Sequence, residues 1–376
     1  MLVNPRLLTI DSAHWANLIQ AAGSPSSAMR DKAKAFPERL LEQGHVLTLA
    51  FHHLEELLSH EGDDVVEARL RYLAGLPSIA WLRSRQPPYG FGAITDILAA
   101  EAVAQCEGAS DPGTVRDRAK ASLIRFGPAS EALGDLEEWW VLRPLFRASS
   151  RRARTVAAIA PVEFGHGSTR ISDLVAGRFR TPDEAGFALA VMERALGKEI
   201  ATRGDRRIED AGRIAGDFFR EVAELQPSGE TDVWEFIVRT SEARGVRREE
   251  IRMDMTSDEL GALCVFRSQL AIIAEKTGHE FEALRQAVRM ENCPHWLLQD
   301  ALARHQQSEL RRPGSDVNDG YLAALAPYVD RLYVDKRKAE NFRRALPKTP
   351  VLKGLLGEVC KAAHYWEIPG QLAGDA

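Results

Sequence analysis

Acidic side chains follow several short apolar runs of this sequence, at positions where a strand is expected to end. Asp11 comes directly after Arg6–Ile10, and Asp335 comes directly after Arg331–Val334. Glu56 closely follows a third apolar run. Binding sites in open parallel sheets form outside the carboxyl ends of the strands, so these acids are expected to converge on one edge.

Grouped carboxylates repel one another and do not all stay ionised without a cation. Their oxygens suit Mg²⁺ or Mn²⁺, and two such ions can activate water and stabilise the leaving oxygen in phosphodiester hydrolysis. Asp316 and Asp319 lie three residues apart on one face of the helix that leads to the run before Asp335, and both remain candidates. With 54 acidic residues in the chain, any single acid is as easily explained as a helix N-cap. Only their combined order points to a shared site.

The elements that must position these acids alternate between strand and helix near both ends of the chain. Apolar runs predict strands at Arg6–Ile10, His45–Leu49, 78–82, Arg331–Val334 and around Pro350–Leu352. Apolar residues at helical spacing follow most of these runs, and a last helix is predicted over residues 356–364. Such alternation is typical of a parallel β-α-β sheet that is buried on both faces.

Residues 84–312 indicate helices and no convincing strand. One helix is predicted to start at Asp111. Capping boxes are predicted at Thr181 and Thr256, each followed three residues later by a glutamate. Proline- and glycine-containing segments border this stretch, as at domain insertions. We therefore predict a discontinuous α/β domain with an all-α insertion, bounded as 1–83 and 314–376 for the domain and 84–313 for the insertion.

The bulk composition restricts the remaining possibilities. The chain has 376 residues, 45% apolar and 27% charged, which is ordinary for a globular protein. Its formal net charge of −5 means that a surface binding nucleic acid must be a local patch. No apolar run approaches the ~20 residues of a spanning helix, and the first residues lack the layout of a signal peptide. The four cysteines lack paired spacing, so we expect a cytoplasmic protein.

Three segments resemble the motifs of PIN-domain nucleases. Residues 7–12 are similar to the opening strand of that family, which ends in aspartate followed by Ser or Thr. Residues 53–58 resemble its second motif, where a glutamate two residues after a leucine binds metal, and this register selects Glu56 over Glu55. Residues 315–337 are similar to its acidic helix, followed by a strand that ends in an aspartate and a basic residue. In the family, the spacing between this acidic residue and the aspartate that ends the strand is intermediate between the spacings that Asp316 and Asp319 give with Asp335.

This resemblance covers about residues 1–83 and 314–365 and implies a PIN-like parallel sheet flanked by helices. It implies a metal-dependent endonuclease, most often an endoribonuclease, with Mg²⁺ or Mn²⁺ held by Asp11, Glu56, Asp335 and either Asp316 or Asp319. Substrate contacts are expected from neighbouring polar residues, namely Ser12, Lys336, Arg337, Arg311 and Arg312. Many small members are toxins of toxin–antitoxin pairs. By analogy, a toxin or defence-type effector controlled by a regulatory protein or antitoxin is expected.

Two other interpretations stay open. A catalytically inactive PIN-fold scaffold could bind nucleic acid or a protein partner without cutting. A purely helical interaction protein would result if the strand predictions are wrong.

The histidines near the second motif do not share one helical face and are expected to be structural: His45, His52, His53 and His60.

Overall fold

Strands and helices alternate in the computed structural model, which describes residues 5–85, 90–160, 166–224, 232–305 and 315–374. The strands are β1 (Arg6–Ile10), β2 (His45–Leu49), β3 (Ile79–Leu82), β4 (Ile124–Gly127), β5 (Arg331–Val334) and β6 (Glu358–Lys361). The helices are α1 (Ser12–Ala22), α2 (Ser27–Glu42), α3 (Phe51–Leu58), α4 (Asp63–Ala74), α5 (Ile94–Cys106), α6 (Pro112–Leu123), α7 (Ala129–Leu133), α8 (Leu136–Ile159), α9 (Ile171–Val175), α10 (Pro182–Arg203), α11 (Ala211–Glu224), α12 (Val233–Glu242), α13 (Ser257–Thr277), α14 (Phe281–Ala287), α15 (Pro294–His305), α16 (Ser315–Ala323), α17 (Lys336–Ala345) and α18 (Ile368–Gly374).

The six strands form one sheet in the order β4-β3-β2-β1-β5-β6. All neighbours run parallel except β4, which pairs antiparallel with β3. β1 lies near the middle, with Leu8 opposite Leu47 of β2 and Ile10 opposite Tyr333 of β5. The predicted mixed α/β class, with a largely parallel sheet flanked by helices, is confirmed.

Alternate residues of the central strands enter two separate hydrophobic cores, as the two-residue repeat of a strand requires. Leu8 and Ile10 of β1 pack with α1, α2, α3 and α4 on one face of the sheet, and both are fully buried. Leu7 of β1 and Val46 of β2 pack with α5, α6, α15 and α17 on the other face. Each such aliphatic side chain contributes about 1.5–3 kcal/mol when fully buried. The central strands are therefore fixed in register, and their carboxyl ends are held at one edge.

The chain divides into two compact units. The first contains residues 1–150, 286–308 and 318–376, and the second contains residues 151–285 and 309–317. These bounds differ from the predicted insertion over 84–313, because helices at both ends of that stretch pack against the sheet. α5, α6 and α15 cover one face, and Trp139 and Phe146 of α8 enter the core of the other.

The second unit consists of helices in its described part. Its helices form two apolar cores, one around α9, α12 and α13 and the other around α10 and α11. Both predicted capping boxes are confirmed, since the amide of Thr181 donates to Glu184 at 2.8 Å and the amide of Thr256 donates to Glu259 at 2.7 Å. Among the described helices, none combines the length and apolar character needed to cross a membrane.

Two sequence predictions about the sheet are wrong. Residues 84–312 contain a strand, β4, which extends the sheet beyond β3. The fifth predicted strand, Pro350–Leu352, is a turn of 3-10 helix, and β6 lies within the predicted helix over 356–364. Both missed strands are four-residue edge strands with half-exposed side chains, so they lack the apolar signal of the central strands.

Candidate active site at the carboxyl edge of the sheet

Asp11 and Asp335 follow neighbouring parallel strands at the same edge of the sheet. Ile10, the last residue of β1, is paired with Tyr333 of β5, and the amide of Asp11 donates to the carbonyl oxygen of Tyr333 at 3.1 Å. Asp335 follows two residues after Tyr333. The ends of the sequence are thus joined at the edge where open parallel sheets form their sites.

Asp11 is buried and bound to a histidine that the sequence reasoning did not single out. Its Oδ1 accepts a hydrogen bond from the amide of His14 at 2.7 Å and lies 2.5 Å from His14 Nδ1. His14 Nε2 lies 3.2 Å from the carbonyl oxygen of Ala362. Burial lowers the pKa of His14, but the hydrogen bond and negative charge of Asp11 outweigh it, so this pKa is raised. With an acceptor at each ring nitrogen, the imidazolium form of His14 is favoured.

Glu56, on α3, lies close to two other acids, Asp11 and Glu55. Burial raises the pKa of its carboxyl, and the negative charges of Asp11 and Glu55 raise it further. The nearby Ser12 hydroxyl and, to a smaller extent, the charge of Arg69 lower it. Among the described residues, the buried Glu56 Oε2 makes no hydrogen bond, and Ser12 Oγ, close to this carboxyl, also lacks a partner.

His53 fixes the start of α3 relative to the end of β1. Its Nδ1 accepts a hydrogen bond from the amide of Ala50 at 3.0 Å, so its Nε2 donates to the carbonyl oxygen of Ile10 at 2.9 Å. Complete burial lowers the pKa of His53 to about 4, and the ring is neutral at neutral pH. This histidine is structural, as expected, and it holds the helix of Glu56 against the strand that ends in Asp11.

The neighbouring acid, Glu55, is fully engaged elsewhere. It lies 3.0 Å from His52 Nδ1 and accepts a hydrogen bond from the Ser149 hydroxyl of α8. Burial would raise the pKa of Glu55, but these hydrogen bonds outweigh it and the pKa is lowered. The ring of His52 also stacks on Tyr321, with 4.5 Å between centroids. Of the two adjacent glutamates, Glu56 is the one beside Asp11 with an open oxygen.

The remaining described acids of the predicted set, Asp335 and Asp319, differ in exposure and in their partners. Asp335 is exposed, and its Oδ1 accepts a hydrogen bond from the amide of Lys338 at 2.7 Å, which caps α17. Asp319, on α16, is partly buried and forms an ion pair with Arg337 at 3.7 Å. The side chain of Asp316 lies outside the described residues.

The predicted substrate-contacting residues are only partly described. Ser12 begins α1 and is buried with its hydroxyl near Glu56. Lys336 is exposed at the start of α17, directly after Asp335. Arg337 is partly buried and paired with Asp319, as noted above. Arg311 and Arg312 lie outside the described residues.

A closed metal-ligand group is not formed within the described part of the chain, where no three His, Cys, Asp or Glu side chains are close enough to hold an ion. The capping hydrogen bonds direct Asp11 and Asp335 toward the starts of their own helices. The donor set nevertheless fits a hard divalent cation in its chemistry. It consists of carboxylate oxygens, and Glu56 contributes a buried oxygen without a donor.

The arrangement gathers negative charge at the sheet edge, where Asp11 and Glu55 raise the pKa of Glu56. A cation beside Glu56 would relieve the repulsion between its carboxyl and Asp11, and exposed Lys336 adjoins this edge. The spacing of His14, three residues after an N-capping aspartate, is the one sequence signal that could have identified the missed partner of Asp11.

Comparisons with protein-family models, with curated proteins and with solved structures give no match for this chain.

Proposed function

We propose that this protein is a metal-dependent endonuclease of the PIN-like type, which hydrolyses phosphodiester bonds and prefers RNA. The observation that carries the proposal is Glu56 Oε2, a buried carboxylate oxygen that makes no hydrogen bond within the described part of the chain and lies near Asp11 at the carboxyl edge of the sheet. Several other buried side-chain atoms of the described residues also lack a partner, so what singles out this oxygen is its place beside Asp11 and Glu55, whose negative charges raise the pKa of the Glu56 carboxyl. A bound divalent cation would offset that repulsion.

The proposed ligands are Asp11, Glu56, Asp335 and either Asp316 or Asp319. Mg²⁺ or Mn²⁺ held there would act as a Lewis acid on the phosphate and lower the pKa of a bound water. Lys336, exposed beside Asp335, is the side chain best placed to attract the phosphate backbone.

His14 positions Asp11 and does not itself touch the substrate in this scheme. The hydrogen bonds from the His14 amide and ring both fall on Oδ1 of Asp11, and its second carboxylate oxygen is the atom that we assign to the cation. Ligands that are oriented by a hydrogen-bonded neighbour bind metal more tightly, and loss of such a neighbour costs about 10–100-fold in affinity or activity. The same reasoning makes His53 a positioning residue for the helix of Glu56.

A cleavage assay tests the proposal. The purified protein is incubated with labelled single-stranded RNA, single-stranded DNA and duplex DNA, with Mn²⁺, Mg²⁺ or EDTA. We expect cleavage of RNA with either metal, none with EDTA, and loss of activity in Asp11→Asn and Asp335→Asn. Cleavage that survives EDTA, or that survives both substitutions, would contradict the metal mechanism.

One observation favours a second candidate function, a PIN-fold scaffold that binds nucleic acid or protein without cutting. Asp11 and Asp335 both accept capping hydrogen bonds, and the described acids do not form a group of three around one point. The same assay separates the two candidates. Retained binding of RNA with no cleavage in either metal would support the scaffold.

A further inference from the structure

The loop after β6 carries two exposed aromatic rings that pack face to face. The ring centroids of His364 and Trp366 are 4.2 Å apart, with 14° between their planes. Both residues are exposed, Trp366 to 37%. We call this pair the aromatic platform. Aromatic faces that remain in water offer a flat surface on which another ring can stack.

The aromatic platform adjoins the acids of the candidate active site. β6 runs parallel to β5, so its last residue, Lys361, lies at the same edge of the sheet as Asp335. His14, which is bound to Asp11, also lies 3.2 Å from the carbonyl oxygen of Ala362. His364 follows two residues later, a span of at most about 7 Å.

The aromatic platform is held in place by buried neighbours. Tyr365, between its two rings, is fully buried and packs edge to face on Phe36 at 5.2 Å. Trp366 packs edge to face on Tyr365 at 5.1 Å. The amide of Ala363 donates to Glu367 Oε2 at 3.1 Å, which closes the loop. A binding surface that is ordered before its ligand arrives loses less entropy on binding.

Positive charge accompanies the rings in a protein whose net charge is −5. Lys32 of α2 is exposed, with its Nζ 5.8 Å from the centroid of the Trp366 ring. Lys361 is exposed at the end of β6. The acidic group of the loop, Glu367, is engaged by the amide of Ala363. Flat rings beside exposed lysines are the combination that single-stranded nucleic acid requires, for its bases and its phosphates respectively.

We propose that the aromatic platform binds an unpaired base of single-stranded nucleic acid, which extends the stack of His364 and Trp366 while Lys32 and Lys361 contact the adjoining phosphates. This inference rests on the proposed nuclease function and defines the form of its substrate. Bases of a duplex are already stacked on their neighbours, so single strands bind in preference. Because every base has a stacking face, the platform is tolerant of sequence.

Binding of a short fluorescein-labelled single strand, measured by fluorescence anisotropy in EDTA, tests the inference without cleavage. RNA, DNA and duplex forms of the same sequence are compared. Removing one stacking side chain weakens binding about 5- to 150-fold, and we expect this of Trp366→Ala and His364→Ala. His364→Phe retains an aromatic face and should bind like the wild type. Phe126→Ala is the matched control, since Phe126 is an exposed aromatic residue on β4, at the opposite edge of the sheet.

The thermal midpoint of each variant shows whether it is folded. If Trp366→Ala does not fold, His364→Ala alone tests the inference. Equal binding by the wild type and the folded alanine variants overturns the inference, as does equal affinity for duplex or the absence of binding to any single strand. If the wild type cleaves RNA but neither alanine substitution weakens binding, the aromatic platform is overturned and the nuclease proposal stands. Weakened binding in a protein that never cleaves supports the platform and contradicts the nuclease.

Discussion

Replacing Glu56 by glutamine should make the metal-free protein more stable at neutral pH, although it removes a proposed metal ligand. Burial, together with the charges of Asp11 and Glu55, raises the pKa of Glu56 above its ordinary value of 4.5. Well below pH 4.5 the carboxyl is neutral in both the folded and the unfolded chain. As the pH rises through the raised pKa of the folded state, the folded protein loses stability relative to the unfolded chain. Glutamine does not titrate and avoids this loss.

The expected gain follows from removing a negative charge that burial and two neighbouring acids disfavour. A poorly satisfied buried polar group costs about 1–3 kcal/mol, and a charged group costs more than an amide; we expect a gain at the lower end because Glu56 is only partly buried. A gain of about 1 kcal/mol corresponds to a rise of about 2–4 °C in the thermal midpoint of a unit of this size. Residues selected for binding are often held in environments that reduce stability, which is the usual cost of a functional site.

Thermal unfolding in EDTA at pH 7 and pH 4 measures this gain, with Glu55→Gln as the matched control. Burial acts on both glutamates, but hydrogen bonds from His52 and Ser149 lower the pKa of Glu55. The contribution of Glu55 is therefore present above pH 4.5 and lost as the pH falls, and Glu55→Gln should lower the midpoint at pH 7. A lower midpoint for Glu56→Gln at pH 7, or a gain that is equal at both pH values, would refute the reasoning.

Mn²⁺ should reverse the order of stability. A ligand that binds only the folded state at 100 times its dissociation constant stabilises it by about 2.7 kcal/mol. We expect such a rise for the wild type and a much smaller one for Glu56→Gln. An equal rise in both proteins would show that the ion binds away from Glu56.

Three further predictions concern the residues that hold the site and its sheet. Burial lowers the pKa of His53 to about 4 from an ordinary 6.5, so the free energy of unfolding should fall as the pH drops from about 6.5 toward 4. His53→Gln should flatten this dependence of the free energy on pH, measured by urea unfolding, and an unchanged dependence would contradict the prediction. Arg143→Met removes the donor to the carbonyl oxygens of His60 and Glu61 and should cost about 1–3 kcal/mol in the free energy of unfolding. Tyr328→Phe removes the hydroxyl that donates to the buried carboxyl of Glu101 and should cost about 1.5–3 kcal/mol. A loss under 0.5 kcal/mol, roughly the effect of a neutral surface substitution, would refute either of the last two.

The central strands could be predicted because they are buried on both faces. Residues 6–10 and 45–49 each carry three aliphatic side chains in five residues, and the structure pairs the two segments side by side in parallel. The aspartates that end β1 and β5 could be predicted for the same reason. Local helix signals were equally informative, since the capping hydrogen bonds at Thr181 and Thr256 form within a few residues of chain.

The edge strands and the extent of the sheet-covering helices could not be predicted. β6 has a charged residue at each end, Glu358 and Lys361, and only its middle is partly buried. Pro350–Leu352 is more apolar, but its proline begins a turn of 3-10 helix. Val115, Ala119 and Leu123 give α6 a buried face at four-residue spacing, whereas α5 is buried on nearly all sides, and neither pattern shows that the partner is the sheet.

The acids of the site were located by their order along the chain, while their partners depend on tertiary structure. Nothing in the sequence indicates that Ser149 of α8 engages Glu55, or that Arg69 of α4 lies near Glu56. These contacts join elements that are distant in sequence, and they decide which glutamate remains open. The sequence could therefore nominate the acids but not their electrostatic state.

The most direct test is the single-turnover rate at which the Mn²⁺-loaded protein cleaves labelled single-stranded RNA, measured for Glu56→Gln against Glu55→Gln. The two substitutions are chemically identical and adjacent; both oxygens of Glu55 have partners, whereas Glu56 Oε2, near Asp11, makes no hydrogen bond with the residues that the structure describes. We expect Glu56→Gln to lose at least about 100-fold, the upper end of the loss caused by removing a partner of a metal ligand, and Glu55→Gln to stay within a few-fold of the wild type. Equal rates for the two variants, or a larger loss in Glu55→Gln, would contradict the account.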